Sequence, residues 1–205
     1  MAYRKREVTG RRRSLPVFRR RIFFLVVLLL SGPFAVPAGA VPMEVYFSPG
    51  GGAEAALVKL IDEARTSIDA AVYTFTNRAL ARAVVRAHKR GVKIRLILDG
   101  NDESDYSKGY YLRQRGIDVR YARGRVKKYK SKKKSRKSRY QVRKYGLMHH
   151  KFAVVDGRSV ATGSFNWTAS AENFNYENLL IIQSPSLARK YSKVFERIWK
   201  TTFRK

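Results

Sequence analysis

The chain has 205 residues, no cysteine and a formal net charge of +29, with 44 lysines and arginines against 15 aspartates and glutamates. The lack of cysteine excludes disulfides, thiolate metal sites and any cysteine-based zinc module. The charge is clustered: +8 falls in residues 1–21 and +13 in residues 123–144, a stretch with no acid, which leaves +8 for everything else. Clustering of this kind points to a phosphate-rich partner, nucleic acid first and an anionic membrane surface second.

Residues 1–40 have the layout of an export signal. A charged start precedes the apolar run Ile22–Leu30 and a small-residue ending at Ala38-Gly39-Ala40. The expectation is a periplasmic or secreted protein with cleavage after Ala40. An uncleaved N-terminal segment that anchors the protein to a membrane is the alternative, since Ile22–Val41 reaches the length of a span if Pro33 and Pro37 are tolerated. Residues 41–205 then form one domain, with 123–144 as a basic surface insert.

Within that domain, "MEVYFS" (43–48) predicts a strand and "AEAALVKLIDEART" (53–66) a helix with apolar residues at helical spacing. "SIDAAVYTFT" (67–76) predicts a buried strand, and 77–91 a helix that Asn77 caps and Gly91 ends. Strand 92–100, helix 107–116 and strand 117–122 follow. After the insert, "LMHHKFAVVDG" and "SVATGS" predict two strands joined at Asp156-Gly157, a hairpin signal. A strand at 177–184 and an amphipathic helix at 185–203 complete the chain. Strands alternating with helices indicate an α/β domain with a mixed, largely parallel central sheet and helices on both faces.

The chemistry gathers in "GLMHHKFAVVDGRSVATGSFNWT" (146–168). Strand alternation puts His149 and Lys151 on one face and His150 on the other. An imidazole beside a fixed ammonium suits attack on a phosphodiester: the lysine offsets charge on the phosphoryl oxygens, and histidine serves as nucleophile or proton donor near neutral pH. Ser164 and Asn166, two apart at a strand end, can offer a hydroxyl and an amide to the same phosphate. Glu177 is placed to accept a hydrogen bond from the imidazole and fix its tautomer. A histidine and lysine at a strand's entrance are by themselves more often its solvated end. The combination of residues argues otherwise, and His150 reads as packed rather than catalytic.

His149-x-Lys151-x4-Asp156-x6-Gly163-Ser164-x-Asn166 resembles the H-x-K-x4-D signature of the phospholipase D superfamily with its trailing G-S-x-N. Residues 43–122 and 145–203 are similar to the small bacterial endonucleases of that superfamily. The resemblance implies a phospholipase D-like sandwich and a catalytic set of His149, Lys151, Asp156 and Glu177, with Ser164 and Asn166 on the phosphate. Asp156, at the far end of its strand, reads as a network residue within that set. Two motifs are needed per active site and this chain has one, so the resemblance also implies a symmetric homodimer. One His149 forms a phosphohistidine and the partner's His149 protonates the leaving oxygen. No cofactor or metal is implied.

The superfamily also cleaves phospholipids, so the motif leaves the substrate open. The insert "RGRVKKYKSKKKSRKSRYQVRKYG" favours nucleic acid, DNA ahead of RNA, because its cations can track phosphates and Tyr129 and Tyr140 can stack on bases. Its candidate binding residues are Lys127, Lys128, Lys130, Lys132, Lys133, Lys134, Arg136 and Lys137. A phospholipid hydrolase and a catalytically inactive nucleic-acid-binding protein are the competing readings.

Overall fold

The computed structural model describes residues 41–101, 106–125 and 145–204. The N-terminal segment and the insert lysines and arginines from Lys127 to Lys137 lie outside these residues. Among the described residues, no helix is long and apolar enough to cross a membrane.

Seven strands form one sheet: β1 (Met43–Ser48), β2 (Ser67–Val72), β3 (Lys93–Asp99), β4 (Asp118–Ala122), β5 (Lys151–Val155), β6 (Ser159–Gly163) and β7 (Glu177–Gln183). The helices are α1 (Ala53–Glu63), α2 (Arg78–Lys89), α3 (Lys108–Arg113), α4 (Ala169–Asn173) and α5 (Pro185–Trp199). The spatial order is β1-β7-β6-β5-β2-β3-β4. The sheet is mixed, but the expectation that it is largely parallel needs correction. Only β2–β3 and β3–β4 run parallel, and the other four pairings are antiparallel. The helical crossovers that parallel neighbours need occur only through β4. Beyond it the chain doubles back by hairpin and short helix, and β1 pairs with β7 at the opposite edge.

Local chemistry sets the element ends. The Asn77 side chain accepts the Leu80 N–H at 3.0 Å and starts α2. At the β5–β6 turn Asp156 and Gly157 both have positive φ, 53° and 64°, as a two-residue hairpin requires. The short helix α4 was not anticipated. Thr168 caps it, accepting from Ala171 N–H at 3.0 Å.

The central strands are buried on both faces. Ile68, Ala70 and Val72 of β2, with Leu96, Leu98, Ala153 and Val155, pack beneath α1 and α2. Ala71, Ile97, Phe152, Val154 and Val160 pack against Ala188 and Phe195 of α5. Arg95 locks α5 down: its guanidinium bonds Asp69 at 2.7 Å and Glu196 at 2.6 Å and lies 4.9 Å from the Phe195 ring centroid. The Asp69 carboxylate is the main cause of a raised Arg95 pKa; partial burial opposes it and Glu196 adds to it. Helix α5 leaves β7 and β1 uncovered on its own face of the sheet. There Met43, Val45 and Phe47, all more than half exposed, adjoin Leu180 and Ile182.

Phe195 is fully buried, so Phe195→Ala is expected to destabilise the domain by about 3–5 kcal/mol, measured by urea denaturation.

Candidate active site

The site forms where β2 and β6 end and where β5 and β7 begin. Regular β5 starts at Lys151, so both histidines precede it. Backbone pairing nevertheless reaches them, because Tyr73 N–H donates to the His150 carbonyl at 2.8 Å. That bond carries the antiparallel pairing of Val72 with Lys151 one residue further. It brings the Tyr73 ring to 4.6 Å from the His149 ring, centroid to centroid. Lys151 Nζ lies 3.1 Å from each ring nitrogen of His149 and 3.0 Å from its carbonyl oxygen. It also stands 5.0 Å from the centre of the Tyr73 ring. Partial burial pushes the Lys151 pKa down, and the Glu177 carboxylate works in the other direction.

The facing wall comes from β6 and β7. Gly163 has no alternative here, since a Cβ at that position would sit 2.1 Å from the Asn178 carbonyl oxygen. This close approach lets Ser164 N–H donate to Asn178 O at 3.1 Å while Ser164 Oγ accepts the Asn178 N–H at 3.1 Å. The hydroxyl proton of Ser164 stays available to a ligand. Asn166 Oδ1 is buried with no hydrogen-bond partner among the described residues. Behind this wall, Thr76 and Asn77 N–H groups both donate to the Trp167 carbonyl at 2.9 Å, tying the end of β2 to the end of β6.

Of the expected catalytic and phosphate-binding residues, the structure brings together all but one. His149, Lys151, Gly163, Ser164, Asn166 and Glu177 line one open cleft of about 390 Å³. The exception is Asp156, and its place in the catalytic set is corrected. It follows the far end of β5, roughly 17 Å along the strand from Lys151 at about 3.3 Å per residue. Its carboxylate accepts the backbone N–H groups of Arg65, Thr66 and Ser67 at 2.8–3.2 Å and the Thr66 hydroxyl at 2.9 Å. Burial disfavours its charge, but these donors prevail and hold its pKa below the usual carboxylate range.

Glu177 shares the cleft, but its carboxylate accepts from Asn175 Nδ2 at 3.1 Å, and no hydrogen bond joins it to His149. His150 faces α5 and packs edge-on against Phe152 at 5.4 Å. Burial first, then the charges of Lys151, Arg197 and His149, lower its pKa. The sequence reading missed Tyr73 and Asn175. Tyr73 is recognisable only once the β2–β5 register is known.

A mixed sheet between two helical layers, with this histidine–lysine cleft at the strand ends, is the arrangement of the phospholipase D superfamily. Residues 57–199 match the family model described as cardiolipin synthase, PLD-like domain, and the chain belongs to that family. The mitochondrial cardiolipin hydrolase of Xenopus tropicalis is 39% identical over 145 residues, covering 70% of this chain and 59% of the relative. The chain thus spans a little over half the length of such curated relatives. Among solved structures, the phospholipase D family member Nuc from Salmonella typhimurium superposes with a TM-score of 0.66 at 29% identity, over 81% of this chain and all of that one. NucT from Helicobacter pylori gives 0.67 at 27% identity, over 80% and 98% of the two chains.

Asp156→Asn keeps the turn-compatible shape and removes the charge. It is expected to lose about 2 kcal/mol of stability through weakened charge-assisted bonds, with kcat retained at temperatures where the variant is folded. Because the folded pKa is depressed, the carboxylate's contribution is fully present above its unfolded pKa of about 3.9 and is lost as pH falls through the folded value. Acid titrations of wild type and variant should therefore converge at low pH.

Proposed function

We propose that the protein is a metal-independent endonuclease that acts as a homodimer. The observation that carries the chemistry is the His149–Lys151 pair, opposite Ser164 and Asn166 in a single cleft. The neutral imidazole of one His149 attacks phosphorus and forms an N–P bond. The leaving oxygen takes a proton from the imidazolium of the partner's His149. That second imidazole, now neutral, accepts a proton from water as the water attacks phosphorus and breaks the N–P bond. Lys151, the Ser164 hydroxyl and the Asn166 amide offset charge on the phosphoryl oxygens. Glu177 adds a negative charge close to Lys151.

Support for the dimer comes from the uncovered apolar face of β1 and β7. Met43, Val45, Phe47, Leu180 and Ile182 lie on the α5 side of the sheet, where a second copy's helix layer would bury them. Support for nucleic acid comes from the net charge of +29 and the cations of the insert, Lys127, Lys128, Lys130, Lys132, Lys133, Lys134, Arg136 and Lys137, which suit a phosphate backbone. A second reading, phospholipid hydrolysis, is favoured by the names of the curated relatives and by one feature of the surface. A groove of about 420 Å³ walled by Phe152, Leu187, Tyr191 and Val194 shares His149 and Lys151 with the cleft, and its apolar walls suit an acyl chain.

The purified protein should cleave plasmid and single-stranded DNA in excess EDTA, His149→Ala should lose at least three orders of magnitude in kcat, and His150→Ala far less. Cleavage of cardiolipin vesicles without cleavage of DNA or RNA would replace the nuclease reading with the second one.

Val45→Glu should convert the dimer to a monomer in sedimentation runs and abolish turnover together with it. Excess His149→Ala chains, exchanged into wild type, should suppress activity beyond dilution. A fully active monomer would contradict the shared site.

A further inference from the structure

A second basic feature lies outside the cleft and outside the insert. Arg78 and Arg82, one turn apart on α2, and Lys108 of α3 surround a pocket of about 270 Å³, with Ala81 and Tyr111 completing its lining. Ala81 is buried and forms the floor, while both arginines are exposed. Among the described residues, none of the three cations has an ion-pair or side-chain hydrogen-bond partner, and no acid lines the pocket. The other end of the same helix differs. Arg86 and Arg90 are both paired with Asp62, at 2.6 and 3.8 Å. Asp62 thus partly offsets the arginines at the C-terminal end of α2, whereas those at its N-terminal end stand as like charges at i and i+4, an arrangement that is unfavourable without a counter-anion.

The pocket also has a fixed relation to the cleft. Arg78 follows Tyr73, which packs on His149, by five residues, a reach of at most roughly 17 Å. Lys108 N–H donates to the Phe75 carbonyl at 2.8 Å, which holds α3 to that same connecting segment. A single solvated face of cations would not need this convergence of two helices on one hollow.

We propose that Arg78, Arg82 and Lys108 form a second phosphate-binding subsite, which holds a backbone phosphate of the nucleic-acid strand a few nucleotides from the scissile bond. At about 3.4 Å of helix axis per phosphate, the reach corresponds to about five phosphates or fewer. The Tyr111 ring, which carries the Arg115 guanidinium 3.6 Å from its centroid, adds a further cation beside the pocket. This inference rests on the nuclease reading for its role in turnover, although not for binding itself. The subsite contributes equally to ground state and transition state, so it sets KM and not kcat.

The experiment compares wild type with Arg78→Gln/Arg82→Gln and with Lys108→Gln, using a single-stranded 30-mer and a dinucleotide too short to reach α2. Expected for the double variant is a rise of about tenfold in KM on the 30-mer with kcat unchanged, and unaltered kinetics on the dinucleotide. Lys108→Gln should move KM in the same direction by less. The slope of log affinity against log salt for the 30-mer should fall by about 0.7 per phosphate contact removed. An equal loss on the dinucleotide would overturn the proposal, as would an unchanged salt slope. Should wild type cleave neither oligonucleotide, the nuclease reading fails by itself, and the salt titration of 30-mer binding still decides the subsite.

Discussion

The antiparallel pairing of β5 with β2 is the constraint on which the rest of the molecule depends. Strand β5 sits between β6 and β2, so it joins the antiparallel half of the sheet to the parallel half. Its register, Val72 opposite Lys151 and Tyr73 N–H on the His150 carbonyl, decides which side chains meet at the edge. A shift of one residue would send His149 and Lys151 to the α5 side and His150 to the cleft. It would also place Phe152 and Val154, now packed under Phe195, against α1 and α2. The core on both faces and the histidine–lysine pair are therefore specified by the same set of hydrogen bonds.

Asp156 contributes to that specification from the opposite end of the strand. Its carboxylate gathers three successive backbone N–H groups, those of Arg65, Thr66 and Ser67, where the chain enters β2. The same residue adopts φ 53° in the hairpin turn, a conformation that aspartate tolerates better than most residues. One side chain thus clamps the start of β2 to the end of β5. With β2 and β5 antiparallel, the clamp holds the register read out at His149. The fixed spacing of four residues between Lys151 and Asp156 has a physical meaning: it is the length of strand between the chemistry and the clamp.

Features that depend on neighbours in sequence were legible before the structure was known. The Asn77 cap, the Asp156-Gly157 hairpin and the shared direction of His149 and Lys151 all follow from short-range rules of capping, turn geometry and pleat alternation. The cleft set of His149, Lys151, Ser164, Asn166 and Glu177 was legible through spacing and resemblance. Long-range pairing was not. Nothing local says that β1 inserts beside β7, or that β5 enters antiparallel to β2, and the sheet was accordingly expected to be more parallel than it is. Tyr73 was hidden for the same reason, since it reads as one more residue of a buried run until its partner strand is known. Glu177 illustrates a different limit: proximity to the imidazole was inferred from position, whereas its hydrogen bond goes to Asn175, two residues away.

The distribution of ion pairs bears on why so basic a chain folds and what its charge is for. Among the described residues, Asp62 pairs with Arg86 and Arg90, Asp69 and Glu196 with Arg95, and Asp118 with Arg120 and Arg204. Self-repulsion opposes a compact state, and these pairs lower it. Nearer the cleft, Lys151 has only partial compensation from Glu177, and Arg78, Arg82 and Lys108 have no partner among the described residues. These cations without partners thus gather towards the end of the strands where His149 and Lys151 stand.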